Sequence, residues 1–366
     1  MKILLYIKSK DYTYGGPAYV CKIFRSLLSN NLTDNVEIDI NDDQDIKNLT
    51  KKELINKISQ YDLVSIHGIW SLNNSLIAKI CRKCFIPYVI SLHGMLDPWS
   101  WKKNFFFKII YFLLFLKKDL KYASSIHCLN SFELELTKKF LKKKSIFIFE
   151  NLLETENYTF DPDILKKKIS GKLDILYFSR ITKKKGLDKF LKAISGLKKD
   201  FFIKIIGPTN TIEDKKYLTE LKKLVYELKL NEKVKFYDAV GDNYQKSMTL
   251  KGADLFILPS AQEGDSIALK ESIHHGLPLL ITRDCKFEVS YDNKNFGYFL
   301  NEDFSNAKEI LERLIDMDNN SYKQLKKNAI NYSKQFLLND KKKDELNLIF
   351  ENIVRSKVNN NFIHIK

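Results

Sequence analysis

The stretch PSAQEGDSIALKESIHHGLPLLIT, residues 259–282, places two glutamates, Glu263 and Glu271, around the start of a helix. The preceding run ADLFILPS has the length and composition of a buried strand. Residues 262–266 carry the turn, and residues 267–275 read as a helix stopped by Gly276 and Pro278. A strand that runs straight into a helix presents backbone N–H groups at Gly264, Asp265 and Ser266, where the helix N-terminus favours an anion such as phosphate. Gly264 permits close approach, and the two carboxylates can accept hydrogen bonds from the vicinal hydroxyls of a sugar and of a ribose. The alternative is a surface pair of acids around an ordinary helix. Against it, Glu271 follows Ala268 and Ile267 by three and four residues, on the apolar face, where a carboxylate without a partner is costly.

The same alternation of strand-like and helix-like runs extends in both directions. KILLYI (2–7) precedes a helix over 17–28; LVSIHG (63–68), a helix near 75–83, PYVISLHG (87–94), SSIHCLN (124–130) and the helical SFELELTKKFL follow. The pattern restarts with LDILYFS (173–179), a helix over 186–197, FFIKIIG (201–207), a helix near 215–228, VKFYDAV (234–240), the opening stretch and LPLLIT. Such alternation predicts β-α-β units, hence an α/β protein with parallel sheets covered on both faces.

A chain of 366 residues exceeds one core, so two domains of about 150–180 residues are expected. The polar segment 150–172, broken by Asp161-Pro162-Asp163, is the expected linker. This gives an N-terminal Rossmann-like domain at 1–160 and a second at 161–335. A closing helical segment at 336–366, with Leu346, Leu348, Ile349, Ile353 and Val354 at helical spacing, is expected to return to the first domain. Two doubly wound domains facing a cleft would put the chemistry on loops at the carboxyl ends of the strands.

Lys and Arg outnumber Asp and Glu by 61 to 45, a net +16 that attracts anions: nucleotides, acidic headgroups or nucleic acid. Five cysteines make no disulfide framework and fit a reducing cytosol; Cys81 and Cys84 lack zinc partners and read as buried thiols on one helix face. The amino terminus reads as a first strand, not a signal peptide. The apolar run 105–116, within WKKNFFFKIIYFLLFLKKDLKYA, is too short to span a bilayer. It reads as an interfacial helix or, the favoured alternative, a core helix with basic ends.

Glu263 and Glu271 reproduce the E-x7-E spacing of retaining glycosyltransferases of the GT-B fold, and the chain resembles family four of these enzymes over most of its length. The resemblance includes GGPAYVCKIFRSL (15–27), VSIHGIW (64–70), SLHGMLDPWSW (91–101) and LYFSRITKKKGLDKFLKAI (176–194). It is carried most specifically by HGMLDPW, which neither packing nor turn chemistry is expected to demand. The R-x4-K-G pattern makes Arg180 and Lys185 the cationic clamp on the donor diphosphate, where fixed cations stabilise the charge of the leaving group. The resemblance further implies that His93 lies by the transferred sugar. Donor contacts are expected at Gly15, Gly16, Glu263, Gly264, Asp265, Ser266, Ile267 and Glu271, although Gly15-Gly16 also reads as a plain turn. His67, Trp70, Asp97 and Trp99 belong to the acceptor side.

Three departures stand out: Leu152 follows Asn151 where relatives carry glycine, Asp265-Ser266 replaces Phe-Gly, and ESIHHGLP replaces EAMACGLP. An acid at 265 must turn away or meet a lysine, and His274 and His275 are expected to contact the helix C-terminus.

No D-x-D follows a strand, so metal-independent transfer from a nucleotide diphosphate sugar, UDP above GDP, is expected, with no cofactor. The implied acceptor is a glycan or lipid-linked oligosaccharide in bacterial surface polysaccharide synthesis, at the cytoplasmic face of an anionic membrane. A sugar-nucleotide epimerase or phosphorylase on the same fold is one rival. A basic nucleic-acid-binding protein, motivated by charge alone, is the other; nucleic acid is not the expected partner.

Overall fold

The computed structural model describes residues 1–11, 16–29, 36–102, 104–141, 144–154 and 171–360. The expected linker core, the boundary near 160 and Asp161-Pro162-Asp163 lie outside the described residues, as does Gly15.

The chain divides into two compact units, Met1–Leu152 with Leu338–Lys366, and Leu153–Leu337. In the first, strands β1 (Lys2–Tyr6), β2 (Glu37–Asn41), β3 (Leu63–His67), β4 (Tyr88–Ser91), β5 (Ser125–Cys128) and β6 (Ile146–Ile148) form a parallel sheet ordered β2-β1-β3-β4-β5-β6. Side chains alternate across a strand. Leu4 and Tyr6 therefore enter one core with Val64, Ile66 and Ile90, and Ile3 and Leu5 enter the other with Phe24 and Phe149. Covering both faces explains the nearly unbroken apolar runs that made these strands legible. The second core is completed by Leu346, Phe350 and Ile353 of the helix Asp340–Asn360.

In the second unit, β7 (Lys172–Phe178), β8 (Asp200–Ile206), β9 (Val234–Tyr237), β10 (Leu255–Leu258) and β11 (Leu279–Thr282) are followed by a small hairpin, β12 (Ser290–Tyr291) and β13 (Lys294–Asn295), and by β14 (Gly297–Leu300). The main sheet is parallel and ordered β14-β11-β10-β7-β8-β9. The chain winds outward from β7 to β9, then returns to lay β10 and its successors on the other side. The neighbours β7 and β10 form a topological switch point, where an open α/β sheet binds its ligand.

Two expectations need correction. Residues 105–122 are not a core helix: Phe105–Tyr111, a wide π turn at Phe112–Leu116 and Lys117–Tyr122 run on continuously, with most of their apolar side chains exposed. Periodicity located the stripe, but not which side faces water. Of the C-x-x-C pair, Cys81 is buried while Cys84 caps the helix Leu72–Lys83 and is half-buried; both are free thiols.

Candidate active site

The loop leaving β7 is clasped against the end of β8. Ser179 N donates to Ile206 O at 3.1 Å and Ile181 N to Pro208 O at 3.0 Å, while the Tyr177 hydroxyl donates to Arg180 O at 2.6 Å. A Cβ on Gly207 would lie 1.9 Å from Ser179 O, so only glycine allows this approach. Arg180 is thereby held by its backbone at the carboxyl end of β7, with its side chain exposed. One 3-10 turn later, Lys183–Lys185 ends in Gly186 at φ 68°, whose missing Cβ would stand 2.2 Å from Pro259 O. That contact, with Ala261 N donating to Lys184 O at 2.9 Å, joins the β7 loop to the β10 loop.

Lys185 and Glu263 meet inside this junction, both more than nine-tenths buried, with Nζ to Oε1 at 2.8 Å. The Ser260 hydroxyl also donates to that oxygen, and Glu263 N donates to Asp284 O at 3.0 Å. Burial pushes the Glu263 carboxyl up, but Lys185, Lys184 and the hydrogen bonds outweigh it and hold the group below its ordinary value.

The helix Ile267–His274 follows, with Ser266 as its N-cap residue. Asp265 does meet a lysine: Lys270 Nζ donates to Oδ2 at 2.7 Å and stands 4.3 Å from the ring centre of Phe336. Glu271 is buried and paired, its Oε1 accepting from Lys246 Nζ at 2.5 Å. The glutamate on the apolar face is therefore not lone. His275 does reach the helix C-terminus, through Nδ1 to Glu271 O at 2.8 Å, while its Nε2 faces the Ser247 hydroxyl at 3.0 Å. Burial pushes it down to about 4, so the contact is a hydrogen bond of the neutral ring. His274 is near Ser333 Oγ at 3.2 Å.

In the first unit three histidines gather at the carboxyl ends of adjacent strands. His67 Nδ1 and His93 Nε2 are 2.9 Å apart, and His67 Nε2 is 3.1 Å from Ser65 Oγ. His127 donates from Nε2 to Phe149 O at 2.7 Å, which leaves Nδ1 to accept from the Ser91 hydroxyl at 2.9 Å. Burial, with neighbouring histidines, holds His67 well below its ordinary value and pushes His93 down to about 3; burial, partly offset by the bond to Phe149, pushes His127 down to about 4. All three are neutral at physiological pH. The buried Glu133 fixes the loop carrying His93, accepting from Gly94 N at 2.5 Å and Leu129 N at 2.7 Å.

The HGMLDPW run does answer to packing and turn chemistry. His93 has φ 53°, Asp97 Oδ1 accepts from Trp99 N at 3.0 Å at the start of the helix Pro98–Lys102, and Trp70 Nε1 donates to Met95 O at 3.1 Å. Trp70 also packs edge-on against Trp101, centroids 5.0 Å apart.

Lys185, Glu263, Gly264, Asp265, Ser266, Ile267 and Glu271 are thus contiguous around the β10 loop. Arg180 sits on the neighbouring loop, bonded to none of them through its side chain, and Gly16 opens the helix Gly16–Ser29 after β1. Lys246, Lys270, His127 and Glu133 were missed. Lys270 stands five residues from Asp265 and could have been read as its partner; the others come from remote elements without a motif. Among the described residues no cluster of three or more His, Cys, Asp or Glu is placed to hold a metal, and no helix is long and apolar enough to cross a membrane.

The family model for Glycosyl transferases group 1 matches residues 161–336. No curated protein matches the chain by sequence. Among solved structures, sucrose-phosphate synthase (tll1590) from Thermosynechococcus elongatus is similar at a TM-score of 0.77 and 12% identity, over 97% of this chain and 100% of its own. Anabaena Alr3699/HepE in complex with UDP and glucose gives 0.72 and 16%, over 97% and 100%. The lipopolysaccharide outer core galactosyltransferase WaaB gives 0.62 and 15%, over 96% and 100%. At these identities the likeness establishes the fold, and the family match assigns the second unit. Two six-stranded parallel sheets and the likeness to these structures give the chain the GT-B fold, and the match over 161–336 makes its second unit a domain of the glycosyl transferases group 1 family.

Proposed function

We propose that the protein transfers a hexosyl or N-acetylhexosaminyl group from a nucleotide diphosphate sugar, UDP-linked first, to a glycan or lipid-linked oligosaccharide, with retention of configuration and without a metal. The observation that carries the reading is the buried Lys185–Glu263 pair at the switch point, continuous with the start of the helix Ile267–His274. The complex of Anabaena HepE with UDP and glucose supports the choice of donor; the lipopolysaccharide transferase WaaB supports a role in surface polysaccharide synthesis.

In the proposed reaction the bond from the anomeric carbon to the phosphate oxygen breaks, and its electron pair leaves with the nucleoside diphosphate. Arg180, Lys185 and the amides at 264–266 receive that charge, each such donor being worth about 10²–10³ in rate. Glu263 and Glu271 accept from hydroxyls of the sugar and ribose. The acceptor hydroxyl attacks on the face the diphosphate leaves, and its proton passes to the departing phosphate oxygen. His93, neutral, hydrogen-bonds a hydroxyl of the transferred sugar, and His67, Trp70 and the segment around Asp97 and Trp99 serve the acceptor.

The test is a panel of UDP-, GDP- and ADP-sugars, read by thermal stabilisation and by slow donor hydrolysis, with and without chelator. A UDP-sugar should stabilise the protein and be hydrolysed in chelator, and Glu271→Ala should abolish the stabilisation. A strict manganese requirement would overturn the metal-free mechanism, and interconversion of sugars without an acceptor would point to an epimerase.

A further inference from the structure

The helical stretch 105–122 is tied down along one side only. The Tyr111 hydroxyl donates to Ser71 O at 2.6 Å, Leu116 and Leu120 are buried, and Asp119 is paired with Arg82 at 2.7 Å. On the other side Phe106 is 79% exposed, Phe107 77%, Leu113 62% and Leu114 64%, with Ile110 between them. The spacing of Phe106, Ile110, Leu113 and Leu114 puts them on one helical face, the reverse of a surface helix that buries its apolar stripe. Beyond the π turn this exposed face continues into lysines: Lys117, Lys118 and Lys121 are exposed, and Lys102 is exposed at the other end. The one acidic residue of 98–122, Asp119, is turned inward to Arg82.

We infer that residues 105–122 form a docking surface for an anionic phospholipid bilayer, lying in the plane of the interface with Phe106, Ile110 and Leu114 among the acyl chains and the lysines among the headgroups. An exposed apolar stripe with basic ends suits such an interface, where acyl chains take the apolar side chains and acidic headgroups draw in lysine. A second copy meeting the same patch symmetrically would set lysine against lysine with no acid to offset it. The stretch cannot cross the bilayer. This inference goes beyond the transferase reading and stands without it, since binding is measured with no sugar present.

The full chain is sedimented with phosphatidylcholine vesicles, with and without phosphatidylglycerol. Wild type is expected to pellet with the anionic vesicles. The triple variant Phe106→Asn, Ile110→Asn, Leu114→Asn should partition at least about tenfold more weakly. The triple variant Lys117→Gln, Lys118→Gln, Lys121→Gln should lose the preference for phosphatidylglycerol by about fivefold per charge. These side chains face solvent, so both variants should keep the wild-type melting temperature and donor hydrolysis. Wild type remaining in the supernatant, an apolar variant that pellets as well as wild type, or self-association abolished by that variant in a protein that ignores vesicles would each overturn the inference.

Discussion

Lys185 and Glu263, 78 residues apart in sequence, are ion-paired at 2.8 Å beneath the junction of the β7 and β10 loops. A buried pair is costly to break from one side only, because the remaining charge has neither water nor partner. Lys185→Ala should therefore lower stability by about 3–5 kcal/mol and the transfer rate by about 10²–10³. Denaturant melts of Lys185→Ala, Glu263→Ala and the double variant form a cycle. A coupling energy above about 1 kcal/mol is expected, and strict additivity would show that the two do not act together.

Gly186→Ala introduces a Cβ 2.2 Å from Pro259 O at a residue with φ 68°. The two loops must then part, and the variant should lose about 1–3 kcal/mol of stability and bind donor less tightly. Calorimetry with and without UDP measures both. An unchanged melting temperature would show that the junction yields freely.

Four histidines bear on acid stability. His67, His93, His127 and His275 are all held below the ordinary 6.5, with His93 at about 3 and His127 and His275 at about 4. Unfolded chains take up these protons first, so the stability is fully present above pH 6.5 and is lost as pH falls toward 4 and then 3. Imidazole resonances in an NMR titration should stay in the neutral position through pH 6 for these residues. The rate should show no inflection near 6.5 from His93, and a histidine titrating there would contradict the neutral cluster.

Glu133→Gln keeps the shape but removes the charge that accepts from Gly94 N and Leu129 N, and it leaves at least one acceptor replaced by a donor. A loss of about 1.5–3 kcal/mol is expected, with a fall in kcat larger than the change in donor KM because the loop that carries His93 is loosened. An equal effect on both parameters, or on neither, would confine Glu133 to a structural role.

Much of the fold could be read from the sequence because strands buried on both faces leave nearly continuous apolar runs, as in β1, β4, β10 and β11, while β3, β5, β7 and β8 keep that character around two polar residues each. The strands β2, β6 and β14 stand at the sheet edges and are harder to read: β2 alternates polar and apolar residues, and β6 and β14 offer runs of only three and four. The loop around Glu263 was legible because its parts lie within a few residues of one another. Lys246 and His127 were not, since nothing local marks a lysine as the partner of a glutamate 25 residues away, or a histidine as the neighbour of two others on separate strands. The exposed face of 105–122 shows the remaining limit: apolar spacing fixes a face without fixing its direction.

The helix Asp340–Asn360 supplies Leu346 and Phe350 to the core that contains Ile3, Leu5 and Phe24. On the ribosome, residues 153–337 emerge as one uninterrupted block, whereas the first-made strands must wait for a helix translated some 300 residues later. The later-made unit can therefore complete its core while the earlier-made one still lacks Leu346 and Phe350.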